Sequence, residues 1–136
     1  MKVLLDTNVF LMHFLDRGRL DTSWSEAISD ADQAFLSALS MWEIAILHAK
    51  ARLPISGAIS AFVHEGMNEL QLLPLSITSQ HVLATAALPA IHGDPFDRLL
   101  VAQAHCERLT IMTTDRTIPR YDVSVFGHKP RKAKRP

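Results

Sequence analysis

Four acids in this chain, Asp6, Glu43, Asp97 and Asp115, stand where strands end or helices begin. Asp6 closes the short apolar run KVLL at 2–5, and Asp115 follows the run LTIMT at 109–113. Glu43 is read as the third residue of a helix that follows AFLSA at 34–38, and Asp97 as the third residue of a helix opened by Asp94 and Pro95. In an open parallel sheet such positions share one rim, where ligands bind. Four carboxylates at one rim repel one another, and burial raises their pKa further. A divalent cation relieves both penalties. An all-oxygen donor set selects Mg²⁺ or Mn²⁺, which can activate water and stabilise the oxyanions of phosphodiester hydrolysis.

Each acid also has a purely structural reading. Ser40-Met-Trp-Glu43 fits a capping box, with Ser40 as the cap. Asp94 is a good N-cap, Pro95 suits the first helical position, and Asp97 meets the positive end of the helix dipole. Asp6 and Asp115 could be turn residues. Four separate excuses at one rim are a poorer account than one shared cause. In addition, Asp97 falls on the helix face of Leu100, Val101 and Ala104, and Glu43 on that of Ile46 and Leu47, core-facing positions that capping does not require. The seven histidines show no metal-ligand spacing, so a zinc site is not expected. Cys106, the single cysteine, lies in an apolar helical pattern and reads as packing.

The elements that must position these acids alternate in type. Strands are expected at 2–5, 34–38, 71–75, 109–113 and 123–126. Helices are expected at 8–15, 25–30, 40–53 (stopped by Pro54), 56–69 (capped by Ser56), 79–88 and 94–108. With no hairpin signals, this alternation points to a three-layer α/β domain on a parallel sheet. At 136 residues, 48% hydrophobic and 21% charged, the chain reads as one soluble domain with no membrane span. Its start is not a signal peptide, since Asp6 and Asn8 interrupt the apolar stretch, and a lone cysteine suits the cytoplasm. Net charge is zero but uneven. Residues 128–136, HKPRKAKRP, hold five of the fourteen cations and no acid, which leaves residues 1–127 acidic. We read 1–127 as the domain and 128–136 as a basic, disordered tail suited to solubility or to nucleic-acid phosphates.

LLDTNV at 4–9, S-x-x-E at 40–43, DPFDRLLVAQA at 94–104 and TTD at 113–115 together resemble the PIN-domain ribonucleases. More narrowly, they resemble the VapC-type toxins of bacterial toxin–antitoxin pairs. The likeness runs over residues 1–127. It implies a PIN-like α/β/α fold with a short, mainly parallel sheet, and a Mg²⁺- or Mn²⁺-dependent endoribonuclease. By position it implies an acidic site of Asp6, Glu43, Asp97 and Asp115. Asn8 and Thr113 match the family's polar neighbours of the first and last acids, and Ser40 and Asp94 stand in supporting places. Homodimers and a cognate antitoxin partner are further implications; the basic tail is outside the motif. A haloacid-dehalogenase-like phosphatase would need a second aspartate where the chain has Asn8. A receiver domain would need a lysine where none lies between Lys50 and Lys129. A non-catalytic nucleic-acid- or protein-binding module would leave the rim acids without a cause. The RNA target, the antitoxin and the number of metal ions are not legible in the residues.

Overall fold

The structure is a computed structural model that describes residues 1–16 and 20–127; the tail expected at 128–136 lies outside the described residues. Strands β1 (Lys2–Leu5), β2 (Gln33–Ser37), β3 (Leu73–Leu75) and β4 (Thr110–Met112) form one parallel sheet in the order β3-β2-β1-β4. Helices α1 (Thr7–Leu15), α2 (Thr22–Asp30), α3 (Ala38–Ala49), α4 (Ile59–Leu70), α5 (Ser79–Ala84) and α6 (Pro95–Glu107) make the connections.

Strand β1 sets the layering. Its side chains alternate across the sheet: Val3 and Leu5 join a core with α1, α2 and α4, through Val9, Phe10, Ile28, Val63 and Met67. Leu4 faces the other way, into a core with Leu100, Val101 and Ala104 of α6 and with Ile118 and Tyr121. All three β1 residues are fully buried, as expected for a strand covered by helices on both faces. The α/β/α fold expected from the alternation is therefore the fold observed.

The chain runs outward from β1 to β2 and β3, then returns to place β4 on the other side of β1. Strand order thus reverses between β1 and β4, the place where open α/β sheets form a ligand crevice at the carboxyl ends of their strands. The two strand ends are tied there: the N–H of Asp6 donates to the carbonyl of Met112 at 2.9 Å.

Several local expectations are corrected. Helix α3 begins at Ala38, not at Ser40, and its N-cap is Ser37, whose Oγ accepts the N–H of Leu39. Ser40 is a buried residue inside the helix, and Glu43 is in its second turn, so the capping box at 40–43 does not form. Ser37 wins because its hydroxyl is also fixed from afar, donating to Gln103 Oε1 of α6 at 2.6 Å. Helix α3 ends at Ala49, before Pro54, where Ala51 takes a left-handed conformation. Helix α4 starts from Ala58 with no side-chain cap, so Ser56 is not its cap. A capping box does form elsewhere, between Thr78 and His81. The helix expected over 79–88 gives way to a 3-10 turn at Thr85–Ala87. The strand expected at 123–126 is only a single parallel bridge of Val125 to Ile111.

The Gln103 link joins α6, β2 and α3 in the buried interior, and it leads to a first prediction. Gln103→Leu fills similar space but leaves the Ser37 hydroxyl without its acceptor, at a cost of about 1–3 kcal/mol. A midpoint in urea unchanged from the parent would refute this.

Candidate active site at the β1–β4 crevice

The crevice collects groups from three places in the chain. Asp6 follows β1 and caps α1 by position, yet its side chain makes no capping hydrogen bond. Its carboxylate, nearly buried, instead accepts the Thr113 hydroxyl at 2.6 Å. Thr113 Oγ1 in turn accepts the N–H of Asp115 at 3.0 Å. Thr113 therefore couples Asp6, 107 residues before it in sequence, to Asp115.

Asp97 comes from the opposite direction. Asp94 caps α6, its Oδ1 accepting the N–H of Phe96 at 2.8 Å, with Pro95 at the head of the first turn. This leaves Asp97 free of capping and turned toward the crevice. The face it shares with Leu100, Val101 and Ala104 is buried, as its sequence spacing indicated.

The group that draws the acids together is one that sequence reasoning passed over. His92 Nε2 lies 2.9 Å from Asp97 Oδ2 and 3.1 Å from Asp115 Oδ2. Its other ring nitrogen, Nδ1, accepts the N–H of Asp94 at 3.1 Å. The His92 backbone N–H donates to Tyr121 Oη at 2.8 Å. Arg98 grips the same segment, donating to the carbonyls of Pro89 (2.8 Å) and Thr85 (3.0 Å) and to Tyr121 Oη (3.3 Å). Sequence spacing gave no histidine a metal-ligand pattern; the fold nevertheless brings His92 against two of the acids. The three side chains of His92, Asp97 and Asp115 converge closely enough to surround one ion.

The electrostatics follow from burial and from mutual repulsion. Burial, assisted by the charges of Glu43 and Asp115, raises Asp6 to about 6 against the lowering pull of the Thr113 hydroxyl. Burial also raises Asp97, to about 7, with the charges of Asp6, Asp94 and Asp115 adding to it and His92 opposing. Asp115 behaves differently: burial pushes it up, but the Thr117 N–H and His92 outweigh that and hold it below the ordinary carboxylate range. For His92, burial disfavours the charged ring, yet Asp115, Asp97 and Asp94 together shift it upward. The Asp94 N–H aimed at Nδ1 opposes that rise, because a protonated Nδ1 has no lone pair to accept it.

Asp6, Asp97, Asp115 and Thr113 thus meet at the crevice, and Glu43 of α3 is near enough for its charge to act on Asp6. Asn8 sits on α1 as an exposed residue. Asp6, Asp97 and Asp115 offer carboxylate oxygens as donors, and burial with mutual repulsion leaves Asp6 and Asp97 short of compensating charge. The residues present fit a hard divalent cation such as Mg²⁺ or Mn²⁺.

The PIN domain family profile matches residues 3–124, and the chain belongs to that family. Among individual relatives, it is 29% identical over 117 residues to Ribonuclease VapC22 of Mycobacterium tuberculosis (strain ATCC 25618 / H37Rv), covering 85% of this chain and 88% of that protein. In fold it is similar to VapBC2 from Rickettsia felis, solved bound to a DNA fragment from its promoter, with a TM-score of 0.71 at 12% identity over 92% of this chain and 96% of that one. DNA-bound VapBC from Salmonella typhimurium gives a TM-score of 0.67 at 16% identity, again over 92% of this chain and 96% of that one. Among the described residues, no helix is long and apolar enough to cross a membrane.

Proposed function

We propose that the chain is a metal-dependent endoribonuclease that acts as the toxin of a toxin–antitoxin pair. The observation that carries this reading is the meeting of Asp6, Asp97 and Asp115 at the β1–β4 switch point, with Glu43 acting on Asp6. Membership of the PIN family and the likeness to a VapC ribonuclease support it. Solved VapBC assemblies of the same fold support a cognate antitoxin as the protein partner, and the resemblance of the motifs to VapC-type toxins is the support for a homodimer.

Asp6, Asp97 and Asp115, with Glu43, would hold Mg²⁺ or Mn²⁺. Bound there, the cation supplies charge neutralisation and activation of the attacking water for phosphodiester hydrolysis. Thr113 keeps Asp6 oriented by donating to one of its oxygens. Thr117 does the same for Asp115 through its backbone N–H, at 2.6 Å. Trp42, the neighbour of Glu43, is 59% exposed and leans on Phe96, the neighbour of Asp97, with ring centroids 5.0 Å apart. An exposed tryptophan, next in sequence to Glu43 and backed by half-buried Phe96, suits the stacking of an unpaired base, which favours single-stranded RNA as substrate.

Purified protein is expected to cleave unstructured RNA with Mg²⁺ or Mn²⁺ and to stop when a chelator is added. Products should carry 5′-phosphate and 3′-hydroxyl ends, because water rather than the ribose 2′-hydroxyl is the nucleophile. Cleavage that survives chelation, or cyclic phosphate ends, would reject the mechanism.

A further inference from the structure

We infer that His92 is a tethered stand-in for the metal ion, displaced when the ion binds rather than ligating it. The inference rests on the metal-dependent reading above and concerns the part His92 plays at that same site.

The position of Nε2 suggests a ligand at first, since it touches one oxygen from each of Asp97 and Asp115. Its protonation excludes that role. Nδ1 accepts the N–H of Asp94, and a backbone amide can only donate. The neutral ring therefore carries its hydrogen on Nε2, and a nitrogen bearing hydrogen has no lone pair to give a metal. Metal-ligating histidines have the opposite arrangement, in which the nitrogen away from the metal is the donor. Here Nε2–H points between two carboxylates, as a donor shared by the groups a cation would bridge.

The surroundings fix this tautomer. Asp94 is held as the N-cap of α6, so its N–H cannot turn away without fraying the helix start. Tyr121 Oη anchors the backbone of His92, and Arg98 holds both Tyr121 and the preceding carbonyls. Positive character is thus delivered to Asp97 and Asp115 by construction. With hydrogen on Nε2, the His92 ring offers no lone pair to a cation between the two carboxylates and must turn aside for one to bind there. Its side chain is 19% exposed, which leaves the ring an open side through which to withdraw.

Two measurements test this. The first is Mn²⁺ binding by isothermal titration calorimetry at fixed pH, comparing the wild type with His92→Ala. The variant is expected to bind Mn²⁺ roughly tenfold to a hundredfold more tightly, the scale of a hydrogen bond to a charged group that the ion no longer has to break. Its metal-free melting temperature should fall, and its Mn²⁺-saturated one should match the wild type. Weaker binding by His92→Ala would make His92 a ligand and overturn the inference; unchanged binding would make it a bystander and overturn it equally. The second measurement needs neither a variant nor a metal. Long-range ¹H–¹⁵N NMR of the wild type should find hydrogen on Nε2 of His92 and none on Nδ1; the reverse tautomer would refute the stand-in. If the tautomer is as expected but neither protein binds Mn²⁺ at the site, the metal-dependent function fails and displacement fails with it.

Discussion

Asp97→Asn is expected to lose about a hundredfold or more in single-turnover RNA cleavage while keeping its fold, whereas Asp94→Asn stays close to the wild-type rate. The two aspartates are three residues apart in DPFD, yet their surroundings separate them. Asp94 spends its side chain on the Phe96 N–H, and asparagine can accept that hydrogen bond equally well. Asp97 makes no cap. It sits at the head of α6, beside His92 and within the field of Asp6, where its negative charge is what a cation would use. Loss of a group that merely orients a metal ligand typically costs 10- to 100-fold, so loss of a ligand charge should cost at least about the upper figure. Asp94→Ala removes the cap itself and should lower stability by about 1 kcal/mol, with activity returning at lower temperature. Circular dichroism on each variant separates unfolding from loss of chemistry. A dead Asp94→Asn beside an active Asp97→Asn would reverse these roles, and full activity in both would remove Asp97 from the site.

The second large effect is on stability and its pH dependence. A carboxyl group loses its proton near 3.8 when unfolded, but Asp6 holds its proton to about 6 and Asp97 to about 7 in the folded protein. Between these values the folded state binds more protons than the unfolded state, so stability falls as pH rises. The contribution is fully present below about 4 and is lost by the time pH passes about 7. At 1.36 kcal/mol per pH unit, each acid is worth a few kcal/mol of metal-free stability. Mn²⁺ should reverse the loss, because an ion that binds only the folded state stabilises it.

Asp6→Asn tests the same balance from within the site. The amide oxygen can still accept the Thr113 hydroxyl, but the buried charge is gone. At pH 8 without metal, the variant should melt higher than the wild type, on the order of 5 °C. Its slope of stability against pH should flatten, and most of its response to Mn²⁺ should vanish. Scanning calorimetry from pH 4 to 8, with and without Mn²⁺, reads all three. A variant whose pH slope equals that of the wild type would show that Asp6 is not held at a cost. An unchanged Mn²⁺ response would place the ion elsewhere.

The sequence by itself determined the element order and the rim on which the acids fall. The reason is local: KVLL and LTIM are short apolar runs that only a strand covered on both faces can use, and the residues following them must emerge at the same edge of a parallel sheet. The start of α6 was equally legible, because cap, proline and dipole preferences all act within one turn. Where a choice depended on a distant group, local reading failed. Ser37 and Ser40 are both plausible caps for α3, and Gln103, 66 residues away from Ser37, decides between them. Residues 123–126 have strand character, but only Val125 bridges to Ile111, beyond the edge of the four-stranded sheet. His92 is the clearest case. It lies in irregular chain two residues before a helix cap, where no periodicity assigns a direction to a side chain. The one local signal was its spacing, which lets the ring accept the N–H two residues on, as an aspartate does in a turn. Its placement between Asp97 and Asp115 required Tyr121 and Arg98 to fix the backbone, and β4 to bring Asp115 within reach. Only tertiary structure brings those three segments together, and so only tertiary structure decided what lies between the two acids.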